Sequence, residues 1–380
     1  MAAFEVALEG AGQAIGLYAE LIAGEDARAE PDVGAIAKWR AEQRGWAARR
    51  RGLRPEDGAE IDAIYSEGEV LLAEPDETPR CEPVLDAAEN ERIFRERIVP
   101  DELTGTPQEQ PILVIVAGQP GDGKAVVTAL IEGVLSRHGR QPVTISPDRY
   151  QHYWPLFRTP LDEEPTSEGY LSTDSRRWTT KATSYARSHR FDVVMESPLL
   201  SPGDVEQAAQ EFKSAGYRVE VAILAVPEAA SRLGVLDRHI RALEVYGYGR
   251  LADPAMHDSS YHRVLDTAEA IDRPQYVDEV AVLRPDGQII HAGNGRWQQE
   301  SSAAEAVERE RKRPWTAAES REFLEAVAEI RRIGRSAPIE WIQREAADGA
   351  KLVTSLAKPH LHPDAVTFHV ATAGVVPPDA

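Results

Sequence analysis

The segment from Ile112 to Lys124, Ile-Leu-Val-Ile-Val-Ala followed by Gly118-Gln119-Pro120-Gly121-Asp122-Gly123-Lys124, constrains this chain more than any other. An aliphatic run this short reads as a buried parallel strand rather than a helix. Gly118, four intervening residues and Gly123-Lys124 have the spacing of a P-loop. In that motif backbone N–H groups wrap phosphate oxygens and the lysine reaches the β- and γ-phosphates. The stretch 125–138 predicts a helix whose positive end faces the same anion. The nucleotide-binding set is therefore Gly118, Gln119, Pro120, Gly121, Asp122, Gly123, Lys124 and Ala125. Two residues break the pattern. Ala125 stands where a Ser or Thr hydroxyl would ligate magnesium, and Asp122 brings a carboxylate to a place meant for phosphate. Either other groups and water hold the metal, or nucleotide binds with weakened turnover.

The surrounding pattern extends the strand into an α/β domain. Further strands are predicted at 142–146, 191–196 and 218–226, with helices at 172–189, 204–215 and 228–246 between and after them. Such alternation implies a P-loop kinase-like parallel sheet with helices on both faces. Three amphipathic helices over residues 1–85 suggest an N-terminal bundle, and 74–84 reads as a proline-rich, acidic linker. The kinase core is placed at 86–277. Residues 278–356 form a C-terminal region, with a hairpin around Asp286-Gly287 followed by helices, and 357–380 form a tail of uncertain order. The net charge of −20 excludes a broad nucleic-acid footprint, though not a small anion in a basic pocket. A single cysteine, Cys81, excludes an intrachain disulfide. The absence of a signal peptide or an apolar run of membrane length makes the cytoplasm the expected location.

In parallel sheets ligands collect at the carboxyl ends of strands, which directs attention to the polar residues there. Asp148, in Ser146-Pro147-Asp148-Arg149, is placed either to orient an acceptor hydroxyl or to cap a helix. Glu196 closes the third strand, suited to water-mediated magnesium, a sugar hydroxyl or simple capping. Arg238, Arg241, Arg250 and Arg263 supply guanidinium groups of the kind phosphoryl transfer uses, with surface ion pairs expected for two of them. His257-Asp258 lacks an accompanying serine-nucleophile motif and reads as structural. Arg49-Arg50-Arg51 could bind an anion but reads first as a solvated helix end, and the mixed charge run 305–313 reads as a solvated face.

Taken together, Gly118–Lys124, Asp148 with Arg149 and Pro155, Val194-Met-Glu196-Ser, Leu233-Gly-Val-Leu-Asp-Arg238-His and Gly249-Arg250…His257-Asp258 resemble the zeta toxins, over roughly residues 86–275. Those are bacterial P-loop kinases of toxin–antitoxin systems. The resemblance implies phosphorylation of UDP-N-acetylglucosamine, or a related UDP-sugar, with ATP or GTP and Mg2+. It further implies Lys124 on the nucleotide phosphates and Asp148 as base. Glu196 and Arg149 would lie at the substrate, and Arg238 and Arg250 on the transferring phosphoryl group. Zeta toxins are restrained by a small three-helix antitoxin, so the N-terminal helices here are expected to act as an inhibitor in cis. Ser197-Pro198 and His239 depart from the family pattern, which often has Gly-Thr and tyrosine. The alternatives are a degenerate nucleotide-binding regulatory module and a phosphotransferase for another small molecule.

Overall fold

The computed structural model describes residues 2–72, 84–154, 173–197, 201–247, 249, 253–271, 277–293 and 302–365. Cys81, Pro155, Pro198, Arg250, most of the expected linker and the tail beyond Ala365 lie outside the described residues. Three helices come first: α1 (Ala2–Asp26), α2 (Val33–Gly52) and α3 (Gly58–Leu72). Asp32 caps α2, its side chain accepting from the N–H groups of Gly34 and Ala35 at 2.9 and 3.0 Å. A short helix α4 (Ala87–Ile93) runs through a π turn (Phe94–Ile98) into α5 (Val99–Glu102).

The sheet then begins with β1 (Ile112–Ala117), and α6 (Lys124–Arg137) follows the glycine loop. Next come β2 (Val143–Ile145), α7 (Pro147–Tyr150), α8 (Thr173–Ser188), β3 (Val193–Ser197), α9 (Pro202–Ser214), β4 (Arg218–Leu224), α10 (Glu228–Tyr246) and α11 (Pro254–Ile271). The hairpin is β5 (Glu279–Leu283) and β6 (Ile289–Gly293), and the helices α12 (Ala303–Lys312), α13 (Ala317–Ser336) and α14 (Glu340–Ala357) close the described chain.

The strand order is β2-β3-β1-β4-β5-β6. The first five strands are parallel and β6 pairs antiparallel with β5. The expected hairpin thus continues the main sheet across residue 277, because β5 lies directly beside β4. Register fixes the site: Val116 of β1 faces Glu196 of β3, and Ile145 of β2 faces Met195. Strand β3 therefore stands between the P-loop strand and the strand that leads to Asp148.

Helix α1 is not simply amphipathic. Phe4, Val6, Ala7, Gly10, Ala11, Gly12, Ala14 and Ile15 are all buried, because small residues let other elements approach from several sides. A Cβ on Gly10 would sit 2.3 Å from the Tyr246 ring, and one on Gly12 would sit 2.5 Å from the His152 ring. Ala7, Ala11 and Ile15 share one buried cluster with Leu113, Ile145 and Val193 of the sheet. On another side, Leu233, Leu236 and Ile240 of α10 pack with Phe323, Ile330, Ile333 and Val353 of the C-terminal helices and with Trp315 in the connection before α13. Helix α10 is the common support of both helical regions.

Candidate active site

The P-loop bends as its glycines require. Gly121 and Gly123 have φ of 76° and 89°, a region open to glycine and strained for other residues. At Gly121 the space is closed as well, since a Cβ would lie 2.1 Å from the Ser231 carbonyl oxygen and 2.6 Å from the Val235 nitrogen. Helix α10 therefore packs backbone to backbone against the tip of the loop. Lys124 does not project into open space: its Nζ donates to the Gly118 and Gln119 carbonyls at 3.2 and 2.6 Å and to Asp122 Oδ1 at 2.8 Å. Asp122 is 1% exposed. Burial pushes its carboxyl above the ordinary range, with Lys124 pulling the other way.

One cavity collects the groups singled out from sequence. Pro120 to Ala125, Asp148, Arg149, Glu196 and Arg238 all line it. Gly118 and Gln119 sit behind the loop: the Gln119 side chain is fully buried and donates to the Val226 carbonyl at 3.0 Å. Arg149 lies 3.9 Å from both Glu102 and Glu132. Burial raises the Glu196 carboxyl, while Arg149 and Lys124 pull it down and Asp148 adds to the rise. Of the remaining arginines, Arg241 pairs with Asp237 at 2.7 Å and Arg263 is exposed on α11.

Three further groups at this site were not legible as functional. From α1, Glu5 and Glu9 line the same cavity. Burial raises Glu5, with Arg238 the leading opposing charge. From α2, Arg50 is 3% exposed, bonds Glu102 at 2.8 Å, His152 Nδ1 at 3.2 Å and the Arg149 carbonyl at 3.2 Å. The Arg49-Arg51 cluster is thus not merely a solvated helix end, since its middle residue is buried on Glu102. From α12, Arg311 is 7% exposed and donates to Gln119 Oε1 at 3.1 Å and to the Tyr261 carbonyl at 2.8 Å. Its guanidinium lies 3.8 Å from the centre of the Tyr261 ring. The run 305–313 is likewise not a purely solvated face, because Glu310 is buried along with Arg311. Only pairing with distant groups makes either arginine legible, and local sequence does not carry that.

His257 does meet a serine: its Nε2 lies 2.9 Å from Ser231 Oγ, and its Nδ1 lies 3.3 Å from Asp258. Ser231 is inside α10, fully buried, and its hydroxyl donates to the Glu228 carbonyl at 3.2 Å. A substrate carbonyl has no path to it, so the set braces α10 and α11 rather than serving as a nucleophile. Among the described residues no group of three or more acidic, His or Cys side chains is placed to hold a metal. Ala125 has no side-chain oxygen to offer a metal at the loop.

The cavity has a volume of about 120 Å³. Sites for small molecules run to about 300–1,000 Å³. Phe4, Glu5, Leu8 and Glu9 of α1 form part of this cavity's wall.

A parallel sheet in the order 2-3-1-4-5, a glycine loop leading into a helix, and acids and arginines at the strand ends define a P-loop protein of the kinase-like class. The chain belongs to the zeta toxin family, whose model matches residues 96–295. A zeta toxin of Streptococcus agalactiae is 26% identical over 133 residues, which are 34% of this chain and 45% of that protein. This chain thus spans less than half the length of that relative. A structure from the PezAT chromosomal toxin–antitoxin system of Streptococcus pneumoniae superposes with a TM-score of 0.55 at 18% identity, covering 67% of this chain and 99% of its own. An AvrRxo1-ORF1:AvrRxo1-ORF2 crystal structure with sulphate ions is more distant, with a TM-score of 0.41 at 15% identity over 72% of this chain and 85% of its own. Among the described residues no helix is long and apolar enough to cross a membrane.

Proposed function

We propose that the chain is a zeta-type small-molecule kinase that moves the γ-phosphoryl group of ATP or GTP to a hydroxyl of UDP-N-acetylglucosamine or a related UDP-sugar. The observation that carries this reading is the convergence of the P-loop, Asp148, Arg149, Glu196 and Arg238 on one cavity. In the reaction the sugar oxygen attacks the γ-phosphorus, the bond to the β-phosphate oxygen breaks, and the nucleoside diphosphate leaves. Asp148 takes the hydroxyl proton. Arg238 and Lys124 balance charge on the phosphate oxygens, while Arg149 and Glu196 orient the acceptor. Magnesium supplies charge neutralisation when bound with the nucleotide.

The N-terminal helices hold this activity in check. Support comes from the placement of Phe4, Glu5, Leu8 and Glu9 on the cavity and from the small volume that remains. An inhibitor fused in cis acts at millimolar effective concentration without needing high intrinsic affinity. Residues 1–85 thus serve as the inhibitory unit and the region from 86 through the β5–β6 hairpin as the kinase core, the place of a separate antitoxin being taken by the chain itself.

The test is Asp148→Asn assayed with labelled ATP and a panel of UDP-sugars. Nucleotide binding and melting temperature are expected to hold while transfer falls at least tenfold, within the roughly 10²–10⁴-fold range of a positioned base. Unchanged transfer removes Asp148 from the mechanism. Ala125 favours the second reading, a nucleotide-binding module with little turnover. Saturable binding without transfer to any acceptor would select that reading.

A further inference from the structure

Two of the donors that a P-loop aims at phosphate, the Lys124 backbone N–H and its Nζ, are already engaged. Asp122 Oδ1 accepts from the Lys124 backbone N–H at 3.1 Å and from Lys124 Nζ at 2.8 Å. The first lies at the start of α6, where the helix end favours an anion. The second is the group that must reach the β- and γ-phosphates. The carboxylate therefore stands where a phosphate oxygen would, and one loop supplies both the anion and its receptor. The fit is close: Oδ2 lies opposite Gly118, where a Cβ would be 1.6 Å away. Oδ2 makes no hydrogen bond among the described residues.

We propose that Asp122 is a latch on the phosphate loop, an internal competitor that any nucleotide must displace from Lys124. The proposal rests on the kinase reading for the identity of the ligand, but the latch belongs to the free protein. When a phosphate takes Lys124, Asp122 is left buried beside new negative charge. The charged groups around it come from several elements. Lys124 is on α6, Glu5 on α1 acts with the phosphate's sign, and Arg311 on α12 acts against it. Helix α10 packs Ser231 and Val235 against Gly121 and brings Arg238 to the same cavity, where Asp148, Arg149 and Glu196 also lie.

A buried carboxylate that loses its cation binds a proton more tightly, because charge in a poorly solvated site is costly. Nucleotide binding is then coupled to proton uptake. The sign follows by linkage: the bound state holds more protons, so affinity rises as pH falls through the interval between the free-state and bound-state pKa values of Asp122.

The experiment compares full-length wild type with Asp122→Asn, which keeps the shape and removes the charge. A non-hydrolysable ATP analogue is titrated calorimetrically at several pH values, in buffers of different ionisation enthalpy. The variant is expected to bind at least tenfold tighter at pH 7.5, with the gap narrowing toward pH 6. Wild type should take up more protons than the variant by a margin approaching one per site. The ligand's own protonation cancels in that difference. Equal affinity with equal proton uptake overturns the latch.

A second measurement needs no nucleotide. The rate at which an amine-acylating reagent labels Lys124 in the free protein, followed by mass spectrometry, should rise several-fold in Asp122→Asn. An unchanged rate overturns the latch. A raised rate in a protein that binds no nucleotide upholds the latch and counts against the kinase reading alone.

Discussion

The N-terminal and C-terminal helices lie on either side of the stretch that the zeta toxin model covers, and both reach the P-loop. They do so in opposite ways. Helix α1 approaches from the open side, bringing Glu5 and Glu9 into the cavity and packing its glycines on Tyr246 and His152. Helix α12 approaches from behind, through Arg311 and the buried Gln119. Their charge arrangements differ as well. Arg50 of the N-terminal region meets a fully buried carboxylate, Glu102, whereas Arg311 has no carboxylate at ion-pair distance among the described residues. An element that covers a site and one that braces it leave similar helical signatures in sequence. Their contacts with the loop tell them apart.

That contrast breaks most sharply at the two arginines. Arg50→Ala removes the closest cation from buried Glu102 and leaves it the Tyr153 hydroxyl and Arg149 at 3.9 Å; breaking a buried pair typically costs about 3–5 kcal/mol, and a loss toward the lower end is expected here. Urea unfolding should show a loss of this size. A loss under about 1 kcal/mol would mean that water reaches Glu102 and that α2 is not anchored there. A smaller effect is expected from Gly12→Leu, whose side chain has no room beside the His152 ring. It should lift α1 while leaving the chain intact. If the open form is populated about one part in a hundred, affinity for an ATP analogue should rise on the order of 100-fold. Fluorescent-nucleotide titration reads this directly. Unchanged affinity in a variant whose α1 has become protease-sensitive would remove α1 from control of the site.

Much of the fold was legible because its signals are local. Aliphatic runs ending in polar residues gave β1 to β4 to within about two residues, and 228–246 is a helix over its whole expected span. The hairpin at Asp286-Gly287 forms, with Gly287 at φ 84°. Its place beside β4 was not legible, since strand order depends on pairing between distant segments. The gathering of Lys124, Asp148, Arg149 and Glu196 followed from the rule that strand ends converge, whereas Arg238, inside α10, was singled out only through the family resemblance. The condition of Lys124 did not follow from it. Nothing in Gly-Asp-Gly-Lys states that the aspartate folds back on the lysine. Arg50 and Arg311 were lost among like-charged neighbours, because a solvated arginine and a buried one have the same local surroundings until their partners, 52 and 192 residues away, are placed.

Arg311 gives the smallest and most discriminating effect. Arg311→Met removes two hydrogen bonds, to Gln119 and to the Tyr261 carbonyl, along with the stack on the Tyr261 ring. It also removes a cation whose burial is itself unfavourable, as the lowered pKa of this guanidinium shows. No buried carboxylate among the described residues is left behind. The two contributions oppose each other, so stability should change by only about 1 kcal/mol, well short of the Arg50 variant. The loop should register the change more strongly. Gln119 loses the partner that fixes its side chain, and the Gln119 carbonyl is one of the groups that position Lys124. Binding of an ATP analogue is expected to weaken about tenfold, equivalent to about 1.4 kcal/mol of lost preorganisation. Arg311→Lys keeps the charge but not the fork that spans Gln119 and Tyr261, and should recover only part of the loss. Full recovery by lysine would make the contribution one of charge at a distance. A large loss of stability without any change in affinity would make α12 a packing element and end the distinction between bracing and mere attachment.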